Sequence, residues 1–307
     1  DLHRRRHSFP TRRSSDLTLT LPRPHISKAI AAESNAVASR RVPMTRSTQL
    51  LEQWNRGISD MLSSLDQESF GPHLLQSVTR LIHFDFLMVF AYRGAGRPLA
   101  LGDTLPDPQR EVVVNAYCAA PYVLDPFFQK VAAGVQSGCY RLRDIAPDRF
   151  RQSEYFRTHY SRTGIREEVG FYFPLGDATG VLSLARWEAS PALGRSDIDL
   201  LEALAPAISG LAARQWANVA APASLVRPRH RDAAQVNAAY TEFGAKQLSD
   251  RERQIVSLIL QGHSTGSVAH LLDISAGTVK VHRKNIYRKL GLSTQAELFA
   301  AFLSFVG

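Results

Sequence analysis

Lys280, Val281, Lys284 and Arg288 recur at helical spacing inside the stretch Asp273–Leu292, with Gly277 and Thr278 ahead of them. At about 100° per residue the lysines and Val281 share one side of a helix, and Val279, Ile286 and Leu290 share the other. Such a helix packs on a core with its back and offers cations with its front. Lysines there can donate to guanine O6 and N7 or to phosphate, and a valine can touch a thymine methyl. Ser275 is placed to cap the helix and Gly291 to end it. A merely solvated basic face has the same pattern, so the neighbouring elements must decide.

Ser249-Asp250-Arg251-Glu252 is a capping box, followed by Ile255, Val256, Ile259 and Leu260 at helical spacing and closed by Gly262. Ser264 is expected to cap a short second helix carrying Val268, Ala269, Leu271 and Leu272. A turn at Asp273-Ile274 leads to the basic helix, and Ser293 is expected to cap a fourth helix. Two short helices joined by a tight turn, the second basic on its open face, make a helix-turn-helix pattern.

Residues 248–292 resemble the LuxR-type (FixJ/NarL-type) DNA-binding domain. The matching residues include Leu248, Ser249, Arg251, Glu252, Ile255, Gly262, Ser264, Ala269, Leu272, Ser275, Thr278, Val279, Lys280, His282, Asn285, Ile286, Lys289 and Leu290. The resemblance implies that Lys280, Val281 and Lys284 face base edges of double-stranded DNA. It places Thr278, Asn285, Arg288 and Lys289 nearer the phosphates, with Ser264 and Ser275 at helix N-termini that suit phosphate. It also implies a homodimer paired through the fourth helix. There, Leu298 and Phe305 are expected to point inward, and Phe299 and Phe302 to stay open for a second copy.

At 307 residues, two domains are expected. No run of about 18 apolar residues suggests a membrane span. Cys118 and Cys139 have no metal-like spacing and fit a reducing cytoplasm. The net charge of +9 is uneven: +6 over residues 1–43, −2 over 44–216, +1 over 217–245 and +4 over 246–307. An acidic middle and a basic end suit a sensor joined to a DNA reader. The basic tail at 1–43 is expected to be an artefact or disordered. His7–Leu17 resembles the conceptual translation of a sequencing adapter, and Met44 is the expected start.

The middle of the chain is expected to form helices over 48–82, strands at Phe84–Tyr92 and near Leu99–Leu101, and helices over 107–119 and 125–134. A strand at Cys139–Leu142, a helix over 151–162, a hairpin turning at Gly176–Gly180 and a long helix at Ser196–Trp216 follow. The fold class is therefore α+β. An α/β/α sandwich of the GAF or PAS kind over 44–216 and a linker at 217–245 precede an all-α four-helix domain at 246–307. The middle also resembles the autoinducer-binding domain of quorum-sensing LuxR regulators. Asp125-Pro126 matches that family's Asp-Pro, and Thr163–Leu175 its Gly-rich strand. The family's Trp and Tyr upstream fall on Val112 and Ala116, with Tyr117 and Tyr122 nearby but off register. The resemblance implies a small-molecule signal held by Asp125, Tyr117, Tyr122, Tyr140 and Ser183; alternatively Asp125 only caps a helix and the aromatics are core.

The chain is thus expected to be a cytoplasmic transcription regulator that meets DNA, a second copy of itself and RNA polymerase, with no cofactor, metal or catalytic residue. A ligand-free dimerisation platform and an enzyme domain fused to a DNA reader are the alternatives. For the latter, Asp125 and His159 are the best acid–base pair, although nothing in the sequence brings them together.

Overall fold

A computed structural model of the chain describes residues 45–94, 96–218, 240 and 242–306. The tail expected over 1–43 and most of the linker expected over 217–245 lie outside the described residues. The described residues from Leu50 onward form one compact unit.

Five antiparallel strands form one sheet: β1 (Phe86–Tyr92), β2 (Leu99–Asp103), β3 (Gly138–Arg141), β4 (Ile165–Leu175) and β5 (Ala178–Trp187). Their order is β2-β1-β5-β4-β3. Gly176, at φ 62°, supplies the left-handed residue of the β4–β5 turn. That turn is tighter than expected, because Ala178–Gly180 already pair with Leu175–Phe173.

All seven residues of β1 are buried, so both sheet faces are covered. Side chains alternate between the faces. Leu87, Val89 and Ala91 join Phe171, Phe173, Leu182 and Leu184 on one side. The helices α1 (Arg46–Ser63) and α2 (Phe70–Thr79) pack there through Trp54, Met61, Leu74 and Val78. Phe86, Met88, Phe90 and Tyr92 join Tyr172, Val181 and Ala185 on the other side. That face is covered by a helical stretch over 107–119, by α3 (Pro126–Ala132) and by short helical turns over 150–163. Helix α4 (Arg195–Gln215) adds Leu201, Leu204 and Ile208 to the first side. The result is the expected three-layer α/β/α arrangement.

The C-terminal helices are α5 (Asp250–Gln261), α6 (Thr265–Leu271), α7 (Ala276–Leu290) and α8 (Gln295–Val306). Local chemistry sets their ends. The Ser249 hydroxyl accepts from Glu252 N–H, and the Glu252 carboxylate accepts from Ser249 N–H at 2.8 Å. Ser264 and Ser275 accept from Ser267 N–H and Thr278 N–H, both at 3.0 Å. Gly262 and Gly291 stop α5 and α7 in the left-handed conformation. Ile255, Val256, Ile259, Val268, Val279, Ile286 and Leu298 form the core between them.

Two expectations about α8 are corrected. Thr294, not Ser293, caps it, accepting from Glu297 N–H at 3.1 Å, while Ser293 donates its own N–H to Glu297. Phe299 and Phe302 are both buried rather than open, Phe302 fully, and Phe305, expected inward, is 49% exposed. The reason lies upstream. Tyr240 stacks on Phe302 at 4.9 Å and Phe243 meets it edge-on at 5.4 Å. Both residues fall in the stretch read as linker, and they cover the face expected to await a second copy.

Candidate functional sites

On α7, Thr278, Lys280, Val281, Lys284 and Arg288 are exposed, whereas Val279 and Ile286 are fully buried. Val281 is 60% exposed, an apolar residue standing in water among cations. Asn285 is half-buried and accepts from Arg288 at 3.2 Å. Ser275 sits at the exposed N-terminus of α7, its hydroxyl engaged by Thr278.

Two residues expected near phosphate are engaged inside the protein. The Lys289 ammonium donates to both oxygens of Glu252 at 2.7 and 3.0 Å. Burial alone would raise the Glu252 pKa, but Lys289 and Ser249 outweigh it and hold the carboxyl below the ordinary range. Ser264 donates its backbone N–H to the Asp148 carboxylate at 2.9 Å. Nearby, Arg149 N–H donates to Gly262 C=O at 3.2 Å, and Gln261 donates to Gln129. The α5–α6 corner therefore rests on the segment that leads into residues 150–163.

Residues 155–163, just beyond it, help wall a cavity of about 20 Å³ between the sheet and its helices. Met88, Phe90 and Tyr92 of β1, Glu168 of β4, and Val181 and Ser183 of β5 form its floor. Val113, Tyr117, Asp125, Tyr155, His159 and Tyr160 close it from the helical side. Tyr160, Ile165 and Glu168 also line a surface cleft of about 690 Å³.

Asp125 is both a helix cap and a cavity residue: it accepts from Phe127 N–H at 3.1 Å at the start of α3, and it lines the cavity. Tyr117 donates to it at 2.7 Å and is itself 2.7 Å from the Tyr92 hydroxyl. Burial raises the Asp125 pKa against these hydrogen bonds. Tyr117 reaches the cavity because the helical stretch over 107–119 carries a π turn at Glu111–Asn115. The extra residue of a π turn moves the inward register on by one, to Val113 and Tyr117 in place of Val112 and Ala116. Ser183 lines the cavity as expected.

Tyr122 and Tyr140 do not line it. Tyr122 is buried edge-on against Tyr117 and Phe128. Tyr140 lies on the edge strand β3, so it reaches the sheet margin rather than its centre. Tyr172 meets it edge-on at 5.3 Å, and the Lys130 ammonium sits 4.2 Å from its ring. Conversely, Asp125 and His159, which nothing in the sequence joined, share the cavity. Burial pushes the His159 pKa down to about 4, so its ring is neutral near pH 7. Glu168, Tyr155 and Tyr160 were not singled out. The available sign was Glu168, a carboxylate where the apolar part of β4 begins, two residues before Gly170 and hence on the same face as Gly170 and Tyr172. Burial, then the Asp125 charge, raises the Glu168 pKa, against hydrogen bonds from Ser183 and Tyr160.

Residues 246–301 match the model of bacterial regulatory proteins of the luxR family. A putative HTH-type transcriptional regulator in the exeN 3' region of Aeromonas salmonicida is 36% identical over 184 residues, covering 59% of this chain and 93% of that relative. The nitrate/nitrite response regulator protein NarL of Escherichia coli K12 is 44% identical over 61 residues, covering 20% of this chain and 28% of NarL. Among solved structures, the VqsR LBD domain from Pseudomonas aeruginosa is 25% identical with a TM-score of 0.47, covering 53% of this chain and 95% of that domain. The helix-turn-helix geometry, the family match over it and a relative aligned over nearly its whole length agree: this chain is a transcriptional regulator of the luxR family.

Proposed function

We propose that α7 reads double-stranded DNA with Lys280, Val281 and Lys284 against base edges, and that the cavity behind the sheet controls this reading through a small ligand. The observation that carries the first part is the exposed ridge of Lys280, Val281, Lys284 and Arg288 on a helix whose back is fully buried. Thr278, Asn285 and Ser275 stand beside the ridge and, with Arg288, contact phosphate. The protein acts as a homodimer in the cytoplasm, since one module of this size covers little DNA and two half-sites give specificity. RNA polymerase is its further partner at the promoter.

The cavity supports ligand control by its place. Its wall residues Tyr155, His159 and Tyr160 continue the segment whose start, Asp148–Ser153, touches Gly262 and Ser264. A ligand that moves this wall also moves the α5–α6 corner. A second reading, a ligand-free platform, is favoured by the small volume of about 20 Å³, room for about one water.

The test selects tight-binding duplexes from a randomised pool with the full chain, then measures Lys280→Ala and Arg288→Ala on the winner. Lys280→Ala costs about 1–3 kcal/mol and relaxes the preference at one base pair, while Arg288→Ala weakens all duplexes evenly. Unchanged sequence preference in Lys280→Ala overturns the reading of α7.

A further inference from the structure

Asp125 and Glu168 are 7% and 4% exposed and line the same cavity. Each accepts only from neutral donors: Tyr117 and Phe127 N–H at Asp125, Tyr160 and Ser183 at Glu168. Among the residues that line the cavity, His159 is the one basic group, and its burial keeps it neutral. Burial raises the pKa of both carboxyls, so ionising them in place is costly unless a cation enters beside them.

We propose that the cavity selects a ligand whose recognised head is a protonated amine, with Asp125 and Glu168 as its acceptors and Glu168 as the residue that sets this specificity. The proposal rests on the ligand-sensing reading above and names the class of ligand. An ammonium offers three donors and the missing charge in one small group. A secondary amide offers one N–H and no charge, so it favours ionisation of neither carboxyl as an ammonium does. The rest of the wall suits a cation too. The rings of Phe90, Tyr92, Tyr117, Tyr155 and Tyr160 all line the cavity, and aromatic faces attract ammonium groups.

The size of the cavity sets how the ligand lies. It admits a head group and no more, so the body of the ligand stays in the neighbouring cleft of about 690 Å³. Tyr160 and Glu168 line both spaces, and Tyr160 donates to Glu168 at 3.2 Å. The amine replaces the Tyr160 hydroxyl at Glu168. Phe150, Phe156 and Ile165 give the cleft an apolar side for the body. Arg143 and Arg151 also stand in the cleft and would draw an anion there instead, so an anionic probe is part of the test.

The experiment uses the full chain and four probes: phenethylamine, 2-phenylethanol, 3-phenylpropanoate and N-butanoyl homoserine lactone. The first three share one body and differ in charge. Binding is measured by calorimetry and by thermal shift on the wild type and on Glu168→Gln, with the fold of the variant checked by circular dichroism. The expected result is that phenethylamine binds at least about tenfold tighter than 2-phenylethanol, a difference of about 1.4 kcal/mol. In Glu168→Gln this preference of the amine over the alcohol collapses. If the alcohol, the propanoate or the lactone binds as tightly as the amine, charge selection is wrong and ligand sensing stands. If the preference survives in Glu168→Gln, Glu168 is not its source. If none of the four binds, this inference and ligand sensing through the cavity both fall.

Discussion

Lys289 can be tested directly, because its two roles predict different measurements. As a phosphate contact it would affect DNA binding and its salt dependence. As the partner of Glu252 it affects stability. Glu252 is 5% exposed in its side chain and Lys289 37%. Breaking a fully buried pair costs about 3–5 kcal/mol, and breaking an exposed one about 0–1 kcal/mol. This pair lies between, so Lys289→Ala should cost about 2 kcal/mol, the residual Glu252 charge still held by Ser249 N–H. For a unit of this size that lowers Tm by about 4–8 °C. Lys289→Arg, which keeps the charge, should recover most of the loss. The pH dependence has a definite sign. The Glu252 pKa is depressed in the folded state, so its stabilisation is present above its unfolded value and disappears as pH falls through the folded value. The Tm gap between wild type and Lys289→Ala should therefore be widest near neutral pH and close in acid. The assay is thermal unfolding of the full chain, paired with DNA titrations over a salt series. A Lys289→Ala protein with wild-type Tm and a salt slope reduced by about one would refute the ion-pair reasoning and restore the phosphate role.

Three further outcomes follow from the same structure. Phe302→Asp should lose about 3–5 kcal/mol or more and unfold α8, because the ring lies fully buried between Tyr240 and Phe243; a folded variant by circular dichroism that merely fails to dimerise would contradict this. Glu168→Gln should gain stability over the wild type as pH rises from about 5 to about 8. A carboxyl whose folded pKa is raised loses its contribution as pH climbs through that value, and a Tm difference independent of pH would sink the argument. Gly170→Ala should cost about 1–3 kcal/mol, since a Cβ there would stand 2.7 Å from the buried Phe127 ring; thermal unfolding at wild-type Tm would show that α3 shifts away freely.

The amino-acid sequence alone determined the helix-turn-helix and most of its boundaries. Ser249 with Glu252, Ser264 with Ser267 and Ser275 with Thr278 are contacts three residues apart. They depend on neighbours that the sequence lists side by side. The basic front and buried back of α7 follow from helical period alone. Where a local signal competed with another, the reading slipped: Ser293 and Thr294 are both good caps, and only the observed first turn separates them.

Tertiary structure decided what depends on remote partners. Glu252 and Lys289 are 37 residues apart, and the lysine turns from a free cation into half of an ion pair only when α5 and α7 pack. Phe302 is core rather than an open face because Tyr240 and Phe243 fold back over it. The cavity is assembled from β1, β4, β5 and the segments at 107–125 and 153–163, so no single stretch of sequence carries its outline. Asp125 was legible from its Asp-Pro cap, but Glu168 became its companion only through the packing of α3 and its neighbours on the sheet face that carries Glu168. The π turn at Glu111–Asn115 is the finest case. It rotates Tyr117 rather than Ala116 toward Asp125, and a one-residue change in helical register is invisible to periodicity, because only the packing of that stretch against the sheet selects it.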